Sequence, residues 1–199
     1  MIYKKHVEEL FSYCDESIRA KGDFSPCVIE PLDILGVTTG KFLLLGKEKV
    51  SSKEKLANLK LKKSEILEVS DHDLRDAYHD LTNDYKDIPV KTFFNHTPSK
   101  VMNSVEKTIA LQQFILDKIN SENHNELNDY KDKIINSLTE LKEIMKDIYT
   151  EETNVKLHTK KRDESFINWK DEYEILKLRV KSECVKTNIN YKIFFKDML

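Results

Sequence analysis

His72, Asp76, His79 and Asn83 stand four, three and four residues apart, with Arg75 among them. At the helical period of 3.6 residues, that spacing lines their side chains along one face of a helix. An imidazole with a pKa of about 6.5 can pass protons near neutral pH, and a guanidinium can grip a phosphate. Arg75 and His79 are therefore the catalytic candidates, suited to metal-independent RNA cleavage in which the 2′-hydroxyl attacks. His72, Asp76 and Asn83 are binding candidates on the same line. A metal fits less well. His and Asp at i and i+4 can share an ion, but one helix supplies at most three ligands, and no second His-rich cluster completes the shell. We assign no metal and no cofactor. The plain alternative is a solvated face on an amphipathic helix.

The element that would carry this stripe is a helix over residues 71–87. Ser70 reads as its N-cap, Asp71 and Asp73 as first-turn acids, and Pro89 as the stop. Leu74, Ala77, Tyr78, Leu81, Tyr85 and Ile88 fall on the opposite, apolar side. The dyads His72-Asp73 and His79-Asp80 also resemble those of HD-type phosphohydrolases, which need a further His and Asp at a distance.

Upstream, residues 41–63 are rich in lysine, including Lys60, Lys62 and Lys63, and the sign then reverses through eight acids from Glu65 to Asp87. Two solvated faces attracting one another would explain this, and so would an RNA-phosphate patch on Lys60, Lys62 and Lys63. The patch lacks arginine and interleaved aromatics.

Around Arg75 the sequence Leu74-Arg75-Asp76-Ala77-Tyr78-His79-Asp80-Leu81 resembles the HEPN superfamily, all-α domains of bacterial defence, toxin and RNA-processing systems. Members carry an Arg, a polar residue and then a His within a late helix. The passage 36–49, with Phe42-Leu43-Leu44-Leu45, is similar to a preceding helix in some bacterial relatives. The resemblance spans residues 32–88, and it implies an RNase or RNA-binding role for Arg75 and His79. It departs from the family at one point: three residues separate Arg75 from His79, and Asp80 stands where a relative would place histidine. That departure implies a non-catalytic version of the domain.

The rest of the chain sets the frame. Its 199 residues can hold one large domain or two small ones, and 39% apolar with 34% charged is ordinary for a globular protein. Only four Gly and four Pro occur, which favours long helices over many-turned β architectures. Residues 2–20 place Val7, Leu10, Phe11, Cys14 and Ile18 at helical spacing, ending near Gly22. Residues 32–50 hold Gly36, Gly40 and Gly46 and read two ways. One is a short β-hairpin, 27–35 with 41–50. The other is a helix opened by Pro31, with Gly36 and Gly40 admitting a close neighbour. The HEPN resemblance implies the helix.

From Pro98 three amphipathic stripes follow, one from Val101 to Ile119, one from Leu127 to Ile148 and one from Phe166 to Cys184. Polar links at 120–125 and 150–163 separate them. The fold expected is mainly α, a helical bundle: an N-terminal helical unit over 1–97 and a three-helix bundle over 98–199. The tail 188–199 is too apolar to stay free in water, and either docks on its own bundle or joins a partner subunit.

No apolar run approaches the roughly 20 residues needed to span a bilayer, and the N-terminus lacks a signal-peptide pattern. Three widely spaced cysteines without a CxxC read as reduced thiols, which points to the cytoplasm. A net charge of −2 argues against general nucleic-acid affinity. The expectation is a non-enzymatic helical binding or regulatory protein acting through protein–protein contacts or self-association. Composition rich in Lys, Asn and Ile fits an AT-rich bacterial or phage genome. The alternative is an HEPN-like RNase or RNA-binding protein.

Overall fold

The computed structural model describes residues 6–21, 23–83, 89–101, 104–122 and 128–195. It is mainly α-helical, with no strand among the described residues. In chain order the helices are α1 (Val7–Lys21), α2 (Pro26–Asn83), α3 (Val90–Phe93), α4 (Pro98–Val101), α5 (Val105–Glu122) and α6 (Asn128–Thr187). A 3-10 turn follows at Tyr191–Phe194.

Two helices are far longer than their sequence signals suggest. The 58-residue α2 takes in the whole of 27–50, so the hairpin alternative does not form. Val28, Leu32, Leu35, Thr39 and Phe42 recur every three or four residues and are all buried, and that periodic burial outweighs three helical glycines. Pro26, rather than Pro31, takes the first helical position, and the Ser25 carbonyl accepts from the amides of Val28 and Ile29. Pro31 sits inside the helix and forfeits the bond its missing N–H would have made to the Cys27 carbonyl.

Ser70 caps nothing. It lies buried in the middle of α2, where its hydroxyl accepts from the Gln112 amide at 3.0 Å. The start signal at Ser70-Asp71 is overridden because both side chains find tertiary partners instead of backbone ones. Likewise α6 runs straight through 150–163 for 60 residues. That stretch contains no Gly or Pro. Thr150, Thr153 and Thr159 donate to carbonyls four residues back, and buried Glu151 pairs with Lys55 at 3.2 Å. Polarity there marks a solvated helix, not a link. The first C-terminal stripe is instead divided in two. Val101 ends α4, and Ser104 starts α5, its Oγ accepting from the Lys107 amide.

The sequence reading divides the chain at 97/98, while its compact units divide it at 52/53 and 153/154. The first unit comprises Met1–Ser52 with Asn154–Leu199, the second Lys53–Thr153. In the first, α1 sets Val7, Leu10, Cys14 and Ile18 against Val28, Leu32 and Leu35 of α2 and Trp169, Tyr173, Leu176 and Val180 of α6. Trp169 Nε1 donates to Thr39 Oγ1 at 2.8 Å, satisfying the indole inside the core. The apolar tail closes this core. Phe194 and Phe195 are buried in it, with Phe195 edge-on to Tyr173 at 5.7 Å. Met198 and Leu199 lie outside the described residues.

In the second unit, Leu74, Ala77 and Leu81 of α2 pack with Phe93, Phe94, Leu111, Ile115, Ile119, Ile134 and Leu138. These apolar positions fix the rotation of α2 about its axis, and therefore the direction in which the polar stripe points.

Candidate functional site

Because Leu74, Ala77 and Leu81 are buried, the far side of the same turns must face outward. His72, Arg75, His79 and Asn83 are exposed there and Asp76 is half-buried. Tyr85 and Ile88, the last two positions of the expected apolar side, lie outside the described residues.

The stripe borders two clefts in the second unit. The first, of about 720 Å³, is lined by Lys63, Leu67, Asp71, His72, Arg75 and Asp76 among others. Glu68 also opens on it, so three carboxylates face two cations and an imidazole. The second, of about 590 Å³, is lined by Arg75, Tyr78, His79, Asn83, Pro98 and their neighbours. Arg75 and Asp76 belong to both. Tyr78 forms the wall between the second cleft and the core, its ring edge-on to Phe94 at 5.2 Å.

Within the stripe the titratable groups pair locally. His72 Nδ1 lies 3.0 Å from Asp76 Oδ2, one helical turn on. His79 Nδ1 lies 3.7 Å from Asp80 Oδ1, and Asp80 also accepts from the Tyr130 hydroxyl. The second contact ties Asp80 to α6, which makes it a structural acceptor. Among the described residues no group of three His, Cys, Asp or Glu side chains is placed to hold a metal ion.

The lysines separate. Lys60 Nζ pairs with Glu152 at 3.0 Å, Lys62 is exposed away from both clefts, and only Lys63 lines one of them. Lys55 and Lys60 take their carboxylates from α6, Glu151 and Glu152.

Behind the stripe lies a polar layer that the sequence reading did not single out. Gln112 Nε2 donates to Ser70 Oγ at 3.0 Å and to Ser137 Oγ at 2.7 Å, and Thr108 Oγ1 reaches Asp71 Oδ1 at 3.5 Å. It joins α2, α5 and α6 inside the core. Its signal was present in the sequence, since Thr108 and Gln112 share the helical period of Val105, Leu111, Ile115 and Ile119. A hydrogen-bonded polar layer of this kind fixes register between helices.

No family model, curated protein or solved structure matches the chain. Among the described residues no helix is long and apolar enough to cross a membrane.

Proposed function

We propose that the protein is a non-enzymatic helical binding protein, cytoplasmic and of bacterial or phage type, acting through protein–protein contacts at the α2 stripe. The observation that carries this reading is the pair of adjoining clefts sharing Arg75 and Asp76. Their walls mix both signs of charge with the Tyr78 ring, the chemistry of a surface that grips another polypeptide. The histidines pair with carboxylates one turn or one residue away rather than with a nucleophile. Free Cys14, Cys27 and Cys184 support the cytoplasmic assignment.

A second reading keeps the HEPN-like role, because Arg75 and His79 open on one cleft. Three carboxylates around the first cleft, Glu68, Asp71 and Asp76, weigh against a nucleic-acid phosphate there.

The two readings separate on purified protein. Wild type and an Arg75→Ala/His79→Ala double variant are incubated with tRNA and mRNA, and both are expected to leave the RNA intact. Cleavage by wild type that the double variant loses would overturn the non-enzymatic reading. In cells, a photo-crosslinking residue placed at Asn83 is expected to trap a protein adduct, and the same group at Lys62 is not.

A further inference from the structure

The outer face of α6 in the first unit carries apolar side chains that its own core cannot use. Ile167, Ile175, Leu178 and Val185 are 59%, 44%, 65% and 76% exposed. They lie on the side away from the buried line Trp169, Tyr173, Leu176 and Val180, spread over about 27 Å at 1.5 Å per residue, with Asp171, Glu174 and Lys181 among them. Four large apolar side chains on one side of a helix, set among charges of both signs, have the make-up of a small docking surface.

What fits this row is written in its charges. Residues 164–174 carry four carboxylates (Glu164, Asp171, Glu172, Glu174) against one Lys, and residues 177–186 carry four cations (Lys177, Arg179, Lys181, Lys186) against one Glu. On the outer side itself, where Glu164, Asp171 and Glu174 are exposed in the first half and Arg179, Lys181 and Lys186 in the second, one half is the electrostatic complement of the other. The apolar positions are arranged the same way about a point between Leu176 and Lys177. Ile167 is as far before that point as Val185 is after it, to within a residue, and Ile175 and Leu178 flank it. A face with that symmetry is complementary to itself turned end over end.

We propose that this face of α6 is a self-association surface, on which a second copy of the chain docks antiparallel about a two-fold axis between Leu176 and Lys177. Ile167 of one copy meets Val185 of the other, and Ile175 meets Leu178. On one edge Glu174 meets Lys181, on the other Asp171 meets Arg179. Such an interface is isologous, so each contact is made twice. Asp171 and Arg179 make no ion pair among the described residues. The present partner of Glu174, Lys177 at 3.9 Å, is a surface pair one turn away. The inference is independent of the α2 clefts, which lie in the other unit. A contact of this length is at the small end of stable interfaces, so the dimer is expected to form at micromolar concentration.

The test is a charge exchange read by sedimentation equilibrium on the full chain. Wild type is expected to approach twice the 23.4 kDa monomer mass as concentration rises towards about 100 µM. Glu174→Lys and Lys181→Glu, each alone, set like charges against one another twice and weaken association about tenfold or more. The double variant Glu174→Lys/Lys181→Glu restores it. The two positions are seven residues apart, about 10 Å along the axis, too far to pair within one chain. Restoration therefore reports contact between copies. In a parallel pair Glu174 would face its own counterpart, and the single exchange would not dissociate it. Circular dichroism of each variant confirms that helix content is unchanged. Wild type that remains a monomer throughout, or a double variant no better than the singles, overturns the proposal and leaves the stripe to a different protein or a lipid surface.

Discussion

At the scale of single residues, burial sets the chemistry of the thiols. Cys14 is fully enclosed beside Tyr173, and burial pushes its pKa up from 9.0 to about 12. Burial likewise raises the Tyr173 phenol and the Cys184 thiol. Cys27 is exposed. With a thiol-reactive disulfide reagent at pH 8, one sulfhydryl, Cys27, is expected to react promptly, and the other two only after denaturation. Two fast thiols in the folded protein would contradict the packing around α1. The same shift has a consequence for stability. The unfolded chain releases the Cys14 proton near 9.0, whereas the folded chain holds it to about 12. The stabilisation is thus fully present below 9.0 and is lost as pH rises towards 12. Cys14→Ala is expected to flatten that alkaline slope in urea titrations.

At the scale of the helix, the three glycines of α2 are not equivalent. A Cβ on Gly36 would stand 3.0 Å from the Phe11 ring, so this glycine lets α1 and α2 approach closely. Gly40 and Gly46 have nothing within 4 Å of such a Cβ. Gly40→Ala and Gly46→Ala should each stabilise the protein by about 0.5–1 kcal/mol, the difference in helix propensity. Gly36→Ala should gain less or lose, because the Phe11 ring has to shift. Urea midpoints of the three variants rank them directly. The sequence reading named Gly36 and Gly40 as a pair admitting a neighbour; only Gly36 has that role. Helix ends, too, are set by partners distant in sequence. Ser70-Asp71 and the polar run 150–163 carry the local signs of a cap and a link, yet Gln112, Thr108 and Lys55 donate to Ser70, Asp71 and Glu151, and carbonyls one turn back accept from Thr150, Thr153 and Thr159. None of these partners except the carbonyls is close in sequence.

At the scale of the whole molecule, the tail and the two long helices decide how the chain is divided. Residues 154–195 return to α1 and the start of α2, and the core they share is closed by Phe194 and Phe195. Phe194→Ala should therefore cost about 3–5 kcal/mol, as for other fully buried phenylalanines. The readout is the fluorescence of Trp169, the only tryptophan, followed through urea unfolding. A loss under 1 kcal/mol, roughly that of an exposed site, would mean that the tail is not part of this core. Phe194 and Phe195, buried in this core, are not exposed for contact with a partner subunit.

By itself the sequence determined the helical class, through 3.6-residue periodicity and the scarcity of glycine and proline. It also determined which side of residues 71–83 is buried and which carries His72, Arg75, Asp76, His79 and Asn83, because Leu74, Ala77, Tyr78 and Leu81 recur at helical spacing. Those are local regularities, and they survive whatever the chain packs against. Tertiary structure alone decided that this segment is the end of a 58-residue helix rather than a helix of its own. It alone placed Lys63 with the stripe while giving Lys60 to Glu152, and set Arg75 and Asp76 on two clefts at once. The reason is the same in each case. A polar side chain ends a helix, pairs with a lysine or lines a cleft according to which partner arrives in space, and those partners come from the start of α4 and from α5 and α6.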